Sequence, residues 1–336
     1  MTQVQPGVAM PGAMPQPRSA VSGPPMPLSR STALAVVLVL MVLVFVPAFG
    51  SEFVIDLVTQ IIIYALFALS LNVLIGFSGN ISFGHAAYFA IGGYTCGILL
   101  TTYGWPLVLA FPAAVIAAAL AAAVIGYFCV RLTDIYFAML TLAFAMFVWG
   151  VAFKWRSMTG GDDGFVGIAV PALIDDRVSY FYFTLAVVTL ASAALWVICH
   201  SAFGRTLVAV RENRMRAGFV GANTRRVRHV AFIVAGTFAG IAGCLFAMYN
   251  RGMYVESAYW TESAQVLIMT LLGGLYSFFG PALGAALLYS LQVFTNQFTE
   301  YWPSVLGVIL LVILLFVPDG VVGLAAKLRL QLARGR

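Results

Sequence analysis

Seven arginines crowd one short stretch of this chain, residues 203–229, where Arg205, Arg211, Arg214, Arg216, Arg225, Arg226 and Arg228 stand against a single acid, Glu212. Guanidinium groups at that density break no bonds by themselves. Their chemistry is to grip carboxylates, phosphates or carbonyl oxygens. From Thr206 to Ala217 the stretch has helical composition, with Leu207, Val210 and Met215 near one face, and Gly218 and Gly221 end it. A short amphipathic helix of this kind suits docking into a groove on a soluble partner. Anchoring against anionic lipid headgroups is the simpler use of the same charges, but it requires neither the glycine stops nor a second basic cluster, so docking is the favoured reading.

Two other stretches combine glycine with polar groups inside apolar sequence. The first, GFSGNISFGHAAYFAIGGY at 76–94, sets Asn80, Ser82 and His85 among five glycines; the second, LLGGLYSFFGPALGAA at 271–286, places Gly273, Gly274, Gly280 and Gly284 around Pro281. Interrupted helices are tolerated at membrane depth where they are buried in protein or line a water-filled cavity, and in transporters they often flank the substrate path. Two uses of the glycines stand side by side, close helix packing and path lining. For the first stretch the polar residues favour the path, with Asn80, Ser82 and His85 facing Gly273 and Gly274. His85 fits a hydrogen-bonded structural role better than a titrating one. SFGHA at 82–86 and FFGPA at 278–282 hint at internal duplication.

Catalytic machinery is not visible. The chain has two lysines, Lys154 and Lys327, and neither follows a phosphate-binding glycine loop, so ATP bound in the P-loop manner must belong to a partner. No HExxH or GxSxG occurs, and Asp56 is the one acid well inside an apolar run. Cys96, Cys129, Cys199 and Cys244 sit in apolar runs without metal-ligand spacing and read as packing residues. The loop WRSMTGGDDGFVGI at 155–168 supplies too few regularly spaced oxygens for calcium and reads as a closing turn or an external contact surface.

The elements that hold these groups follow from composition. Of 336 residues 62% are hydrophobic and only 9% charged, against about 25% charged in soluble domains, so lipid is the solvent for most of the chain. The net charge of +6 has no folded polar domain to display it to nucleic acid. Residues 1–30 are proline-rich and read as a disordered cytoplasmic tail. Ten apolar segments follow, near 32–49, 53–75, 81–100, 106–130, 135–155, 180–199, 230–250, 263–276, 280–298 and 302–318. They lack strand alternation, so the expected fold is an all-α polytopic transmembrane helix bundle, including short Gly-interrupted segments.

The membrane domain then spans 31–320, with a cytoplasmic loop at 203–229 and a basic cytoplasmic tail at 321–336. Placing the arginine-rich loop in the cytoplasm puts both termini there and leaves only Lys154, Arg156, Arg177 and Arg251 outside, together with eight acids, among them Glu52, Asp162, Asp175 and Glu262. Fusing 263–298 into one helix would export the basic tail, so two segments are expected.

GFSGNISFGHAAYFAIGGY, LTDIYFAMLTLAFA at 132–145, SMTGGDDGFVGI, AVRENRMRAGFVGANTRRVRHVAF, YWTESAQVLIMTLLGG, FGPALGAAL and VPDGVVGL occur in register. With them, residues 60–325 resemble the LivM-type permeases of branched-chain amino-acid ABC importers, a family with relatives that carry urea, short amides and aromatic acids. The resemblance implies a bacterial inner-membrane subunit that pairs with a second, LivH-like permease and takes solute from a periplasmic binding protein. Two cytoplasmic ATPase subunits would hydrolyse the ATP, with no cofactor bound by this chain. It also implies that Arg211, Glu212, Asn213, Ala217 and Gly221 form the coupling contact with the ATPase. Many relatives carry an acid soon after that asparagine, where this chain has Arg214, Met215 and Arg216, and often an acid where Gln265 stands. An autonomous channel or facilitator is the reading from another class.

Overall fold

The computed structural model describes residues 30–297 and a few isolated positions beyond, among them Gly307 and Gly320. The tail 1–29, most of the expected span 302–318 and most of the tail 321–336 lie outside the described residues. Nine of the ten expected segments are helices: α1 (Arg30–Phe49), α2 (Glu52–Asn72), α3 (His85–Thr101), α4 (Leu107–Cys129), α5 (Asp134–Lys154), α7 (Arg177–His200), α10 (Thr224–Tyr249), α11 (Trp260–Gly273) and α12 (Gly280–Asn296). Three shorter helices join them: α6 (Arg156–Thr159), α8 (Ala202–Glu212) and α9 (Arg214–Phe219). Five are long and apolar enough to cross a bilayer, namely α2 with its continuation to Phe77, α4, α5, α7 and α10. The chain is a polytopic helix bundle.

Lipid removes the usual reason for burying large side chains, so helices in a bilayer associate through small residues that let backbones approach. α4 follows that rule. Ala110, Ala114, Ala118 and Ala122 are buried at every fourth position, whereas Val108, Ile116, Leu120 and Val124 point outward. α10 brings Gly236 against Ala122 and Gly240 against Ala118, and its Gly243 lies so near α3 that a Cβ there would stand 1.9 Å from the Phe89 carbonyl oxygen. Around this centre the outer faces of α5 and α7 expose Ile135, Met139, Phe147, Leu190 and Val197. Large apolar side chains turned outward along these helices mark a surface made for lipid.

α11 and α12 are separate helices, as the charge count requires, and they form an antiparallel hairpin in which Gly284 packs on the Met269 carbonyl and Gly273 on that of Gly280. At the end of the bundle away from the arginine-rich loop, residues 155–168 make a closing turn. Gly160, at φ 79°, lets it fold back on Gly164. The two-residue strand β1 (Phe165–Val166) then pairs antiparallel with β2 (Gly252–Met253).

Glu262 lies in the first turn of α11, which begins at Trp260, with its carboxyl turned towards the Tyr64 hydroxyl of α2. At the helical rise, Tyr64 lies about 18 Å along α2 from Glu52.

The packing at Gly243 predicts an asymmetry between glycines. Gly243→Ala should destabilise the detergent-solubilised protein by about 1–3 kcal/mol through overpacking, read as a lowered melting temperature, whereas Gly150→Ala, where a Cβ meets nothing within 4 Å, should leave the melting temperature unchanged or raise it.

Candidate functional site

The arginine-rich stretch is not one helix. Asn213 adopts an extended backbone (φ −157°, ψ 105°) and its side-chain oxygen accepts from the Arg216 N–H at 2.9 Å, so it ends α8 and caps α9. An asparagine that satisfies a free helical N–H starts a new helix more readily than it continues an old one. Leu207 and Val210 are buried as expected, but Met215 is turned outward and 73% exposed. With Phe219 at 87% and Val220 at 89%, it forms an apolar tip between Arg214 and Arg225.

Behind the tip, the arginines turn inward. Arg211 donates to the Gly76 carbonyl where α2 ends in a π turn (Val73–Phe77), bonds Glu212 at 2.7 Å, and lies over the Tyr276 ring at 5.2 Å. Arg228 is 5% exposed and donates to the carbonyls of Val130 and Leu132 at 3.0 Å each, and to Asn80 Oδ1 at 2.8 Å. Arg214 reaches the same Asn80 oxygen at 3.1 Å. The loop is therefore bolted to the breaks between α2 and α3 and between α4 and α5, and it touches the α11–α12 break through Tyr276.

The five residues expected at the ATPase contact have mixed placements. Glu212, Asn213 and Gly221 are exposed, Gly221 at φ 93° with open space around it, whereas Arg211 is spent on the internal bonds just given and Ala217 is buried beneath α9. Met215, Phe219 and Val220 are the outward apolar residues that sequence reasoning missed. The signal was available in the break at Asn213, which rotates the following face.

The five expected path residues are all buried. Asn80 is held by Ser78 and the two arginines. Ser82 accepts from the Gly84 N–H, and His85 shares a 2.8 Å hydrogen bond with Ser70 while stacking on Phe67. Gly273 and Gly274 close against Gly280 and Gly320. The physical reason is that chain breaks need their backbone groups sealed, and small or polar residues serve that purpose best. The two breaks do meet: a Cβ on Gly76 would stand 2.3 Å from the Leu275 carbonyl, and Asn72 donates to that of Ser277 at 3.2 Å.

A second group of polar side chains lies elsewhere, on a seam between α2, α10, α11 and α12. Asp56, Gln60 and Tyr64 succeed one another at four-residue spacing on α2. Tyr249 of α10 reaches both Asp56 and Gln60, Tyr289 of α12 donates to Gln60, and Gln265 of α11 donates to Gln292 of α12 at 3.0 Å. At the outer end of the seam a cavity of about 590 Å³ is lined by Glu52, Asp56, Asp175, Asp176, Arg177 and Tyr249, among others.

Comparison with known proteins decides the family. Residues 53–317 match the model of the branched-chain amino acid transport system permease component. The chain belongs to that family. It is 30% identical to the high-affinity branched-chain amino acid transport system permease protein LivM of Escherichia coli K12, over 85% of this chain and 74% of that protein. To the high-affinity branched-chain amino acid transport system permease protein LivH of the same strain it is 24% identical, over 77% of this chain and 91% of that protein. It is also 28% identical to the autoinducer 2 import system permease protein LsrC of Escherichia coli O157:H7, over 43% of this chain and 44% of that protein. No solved structure matches.

In this permease Arg228 is the bolt whose loss should be most visible. Arg228→Ala should cost about 1–3 kcal/mol for each carbonyl left unpaired, and Arg228→Lys should recover only part of that because an ammonium cannot reproduce the guanidinium fork. Melting in detergent measures the order, wild type above Lys above Ala, and limited proteolysis at residues 76–84 should accelerate in the same sequence.

Proposed function

We propose that this permease is one membrane subunit of an ATP-driven importer that carries a small amino-acid-like solute, branched-chain amino acids foremost, from periplasm to cytoplasm by alternating access. A second, LivH-like permease, two cytoplasmic ATPase subunits and a periplasmic binding protein complete the assembly. The arginine-rich end, with both termini, faces the cytoplasm. The single observation that carries this reading is the apolar tip Met215, Phe219 and Val220, exposed beyond the bolted arginines. Large exposed apolar side chains on a polar loop mark a protein interface, and lipid anchoring by charge needs none of them.

Energy enters through differential contact: a partner that holds the tip differently in its two nucleotide states biases the permease between two arrangements by that difference and no more. A displacement of α8–α9 acts on Gly76 through Arg211 and on Asn80 through Arg214. Through those bonds it acts on the α2–α3 break, and through Tyr276 on the α11–α12 hairpin. Similarity to both LivM and LivH, two permease proteins bearing the same system name, supports a paired arrangement of like subunits.

The test is co-purification without cross-linker. The tagged wild-type chain, expressed with its native partners, should bring ATP-hydrolysing subunits through detergent, and Met215→Asp with Phe219→Asp should reduce the ATPase recovered at least tenfold while membrane insertion stays normal. An undiminished ATPase yield from the double variant would refute the docking role. Leucine entry into liposomes holding this chain alone would establish a facilitator instead.

A further inference from the structure

Glu262 stands out among the groups that packing does not use. Its Oε1 is buried with no hydrogen-bond partner while the carboxyl faces the Tyr64 hydroxyl. An ionised carboxylate at such depth is costly unless a cation or donors meet it, and no arginine or lysine bonds it among the described residues. What surrounds it instead is aromatic. Tyr64 stacks on Tyr289 with ring centroids 5.3 Å apart and meets Phe246 edge-on at 6.0 Å. A buried carboxylate without a cation of its own attracts a small organic ammonium by charge, and aromatic rings close by can add cation–π attraction.

The rest of the seam supplies what a zwitterion needs in addition. The side-chain amides of Gln60, Gln265 and Gln292 offer N–H donors for a carboxylate within the same helix interface, with no fixed positive charge to trap it. The route to them is graded. In the outer cavity four acids, Glu52, Asp56, Asp175 and Asp176, exceed the two arginines, Arg177 and Arg251, which are already paired to Glu52, Asp56 and Asp175. A net negative mouth favours entry of an ammonium group, and Asp56, Gln60 and Tyr64 lead one helical turn at a time towards Glu262.

We infer that Glu262, with the rings of Tyr64, Tyr289 and Phe246 and the amides of Gln60, Gln265 and Gln292, forms an intramembrane station for a small solute with a primary ammonium and a carboxylate. Glu262 takes the ammonium. The inference deepens the importer reading and rests on it for the identity of the solute as an α-amino acid; the site's accessibility and charge preference can be measured independently of any ATPase.

Gln265→Cys and Gln60→Cys supply the probes, in the assembled complex in lipid nanodiscs without binding protein, with the wild-type chain and its four buried cysteines as the blank. A methanethiosulfonate bearing an ammonium group should label each new thiol at least tenfold faster than one bearing a sulfonate, and Glu262→Gln should abolish that preference. Millimolar L-leucine should slow labelling at least threefold, whereas 4-methylpentanoate, the same skeleton without the ammonium, should not. No labelling above the blank at either position, equal rates for the two reagents, or equal protection by 4-methylpentanoate would overturn the station. Two positions are read so that misfolding at one leaves the other to decide. ATPase recovery is scored on the same preparation, so failure of the station with ATPase present is distinct from failure of the importer reading.

Discussion

A broken helix in a membrane must hide its last carbonyls, and arginine does that work here. Near the C-terminal ends of α2, α4 and α7, all at the same end of the bundle, the carbonyls of Gly76 in the π turn, Val130 just after α4 and His200 each meet a guanidinium, from Arg211, Arg228 and Arg205 respectively. A helix C-terminus leaves four unpaired acceptors and carries a partial negative charge, so a cation with several N–H donors satisfies both demands at once. The accumulation of basic residues on one side of the chain is thus more than a topological bias. It supplies the seals that let short and interrupted helices exist.

The same constraint explains the fate of the glycine-rich stretches. A path through protein and a break in a helix both call for small and polar residues, and the sequence pattern does not separate them. In this structure Gly76, Gly273 and Gly280 permit backbones to touch, while Ser82 and His85 spend their hydrogen bonds inside the core. The break is a joint: it joins the arginine-rich loop to the α11–α12 hairpin through direct contacts.

The seam that carries the free polar groups divides labour with that joint. Its members come from four helices and are paired mostly with one another, as in Gln265 with Gln292 and Tyr289 with Gln60. The bolted end and the seam share α2, whose π turn at Val73–Phe77 belongs to one and whose Asp56–Gln60–Tyr64 face belongs to the other. A shift at one end of that helix is felt at the other.

Sequence by itself determined the solvent, the existence and rough positions of nine helices, the separation of α11 from α12 and the burial of Leu207 and Val210, because hydropathy, glycine and charge act locally and are written in consecutive residues. It could not show that Asn213 splits the loop into two helices, that Arg211 and Arg228 turn inward, or that Glu262 reaches Tyr64 across some two hundred positions of chain. Those outcomes are set by where distant carbonyls and rings come to rest. A charged side chain chooses its partner by distance in space, and only the packed helices fix that distance.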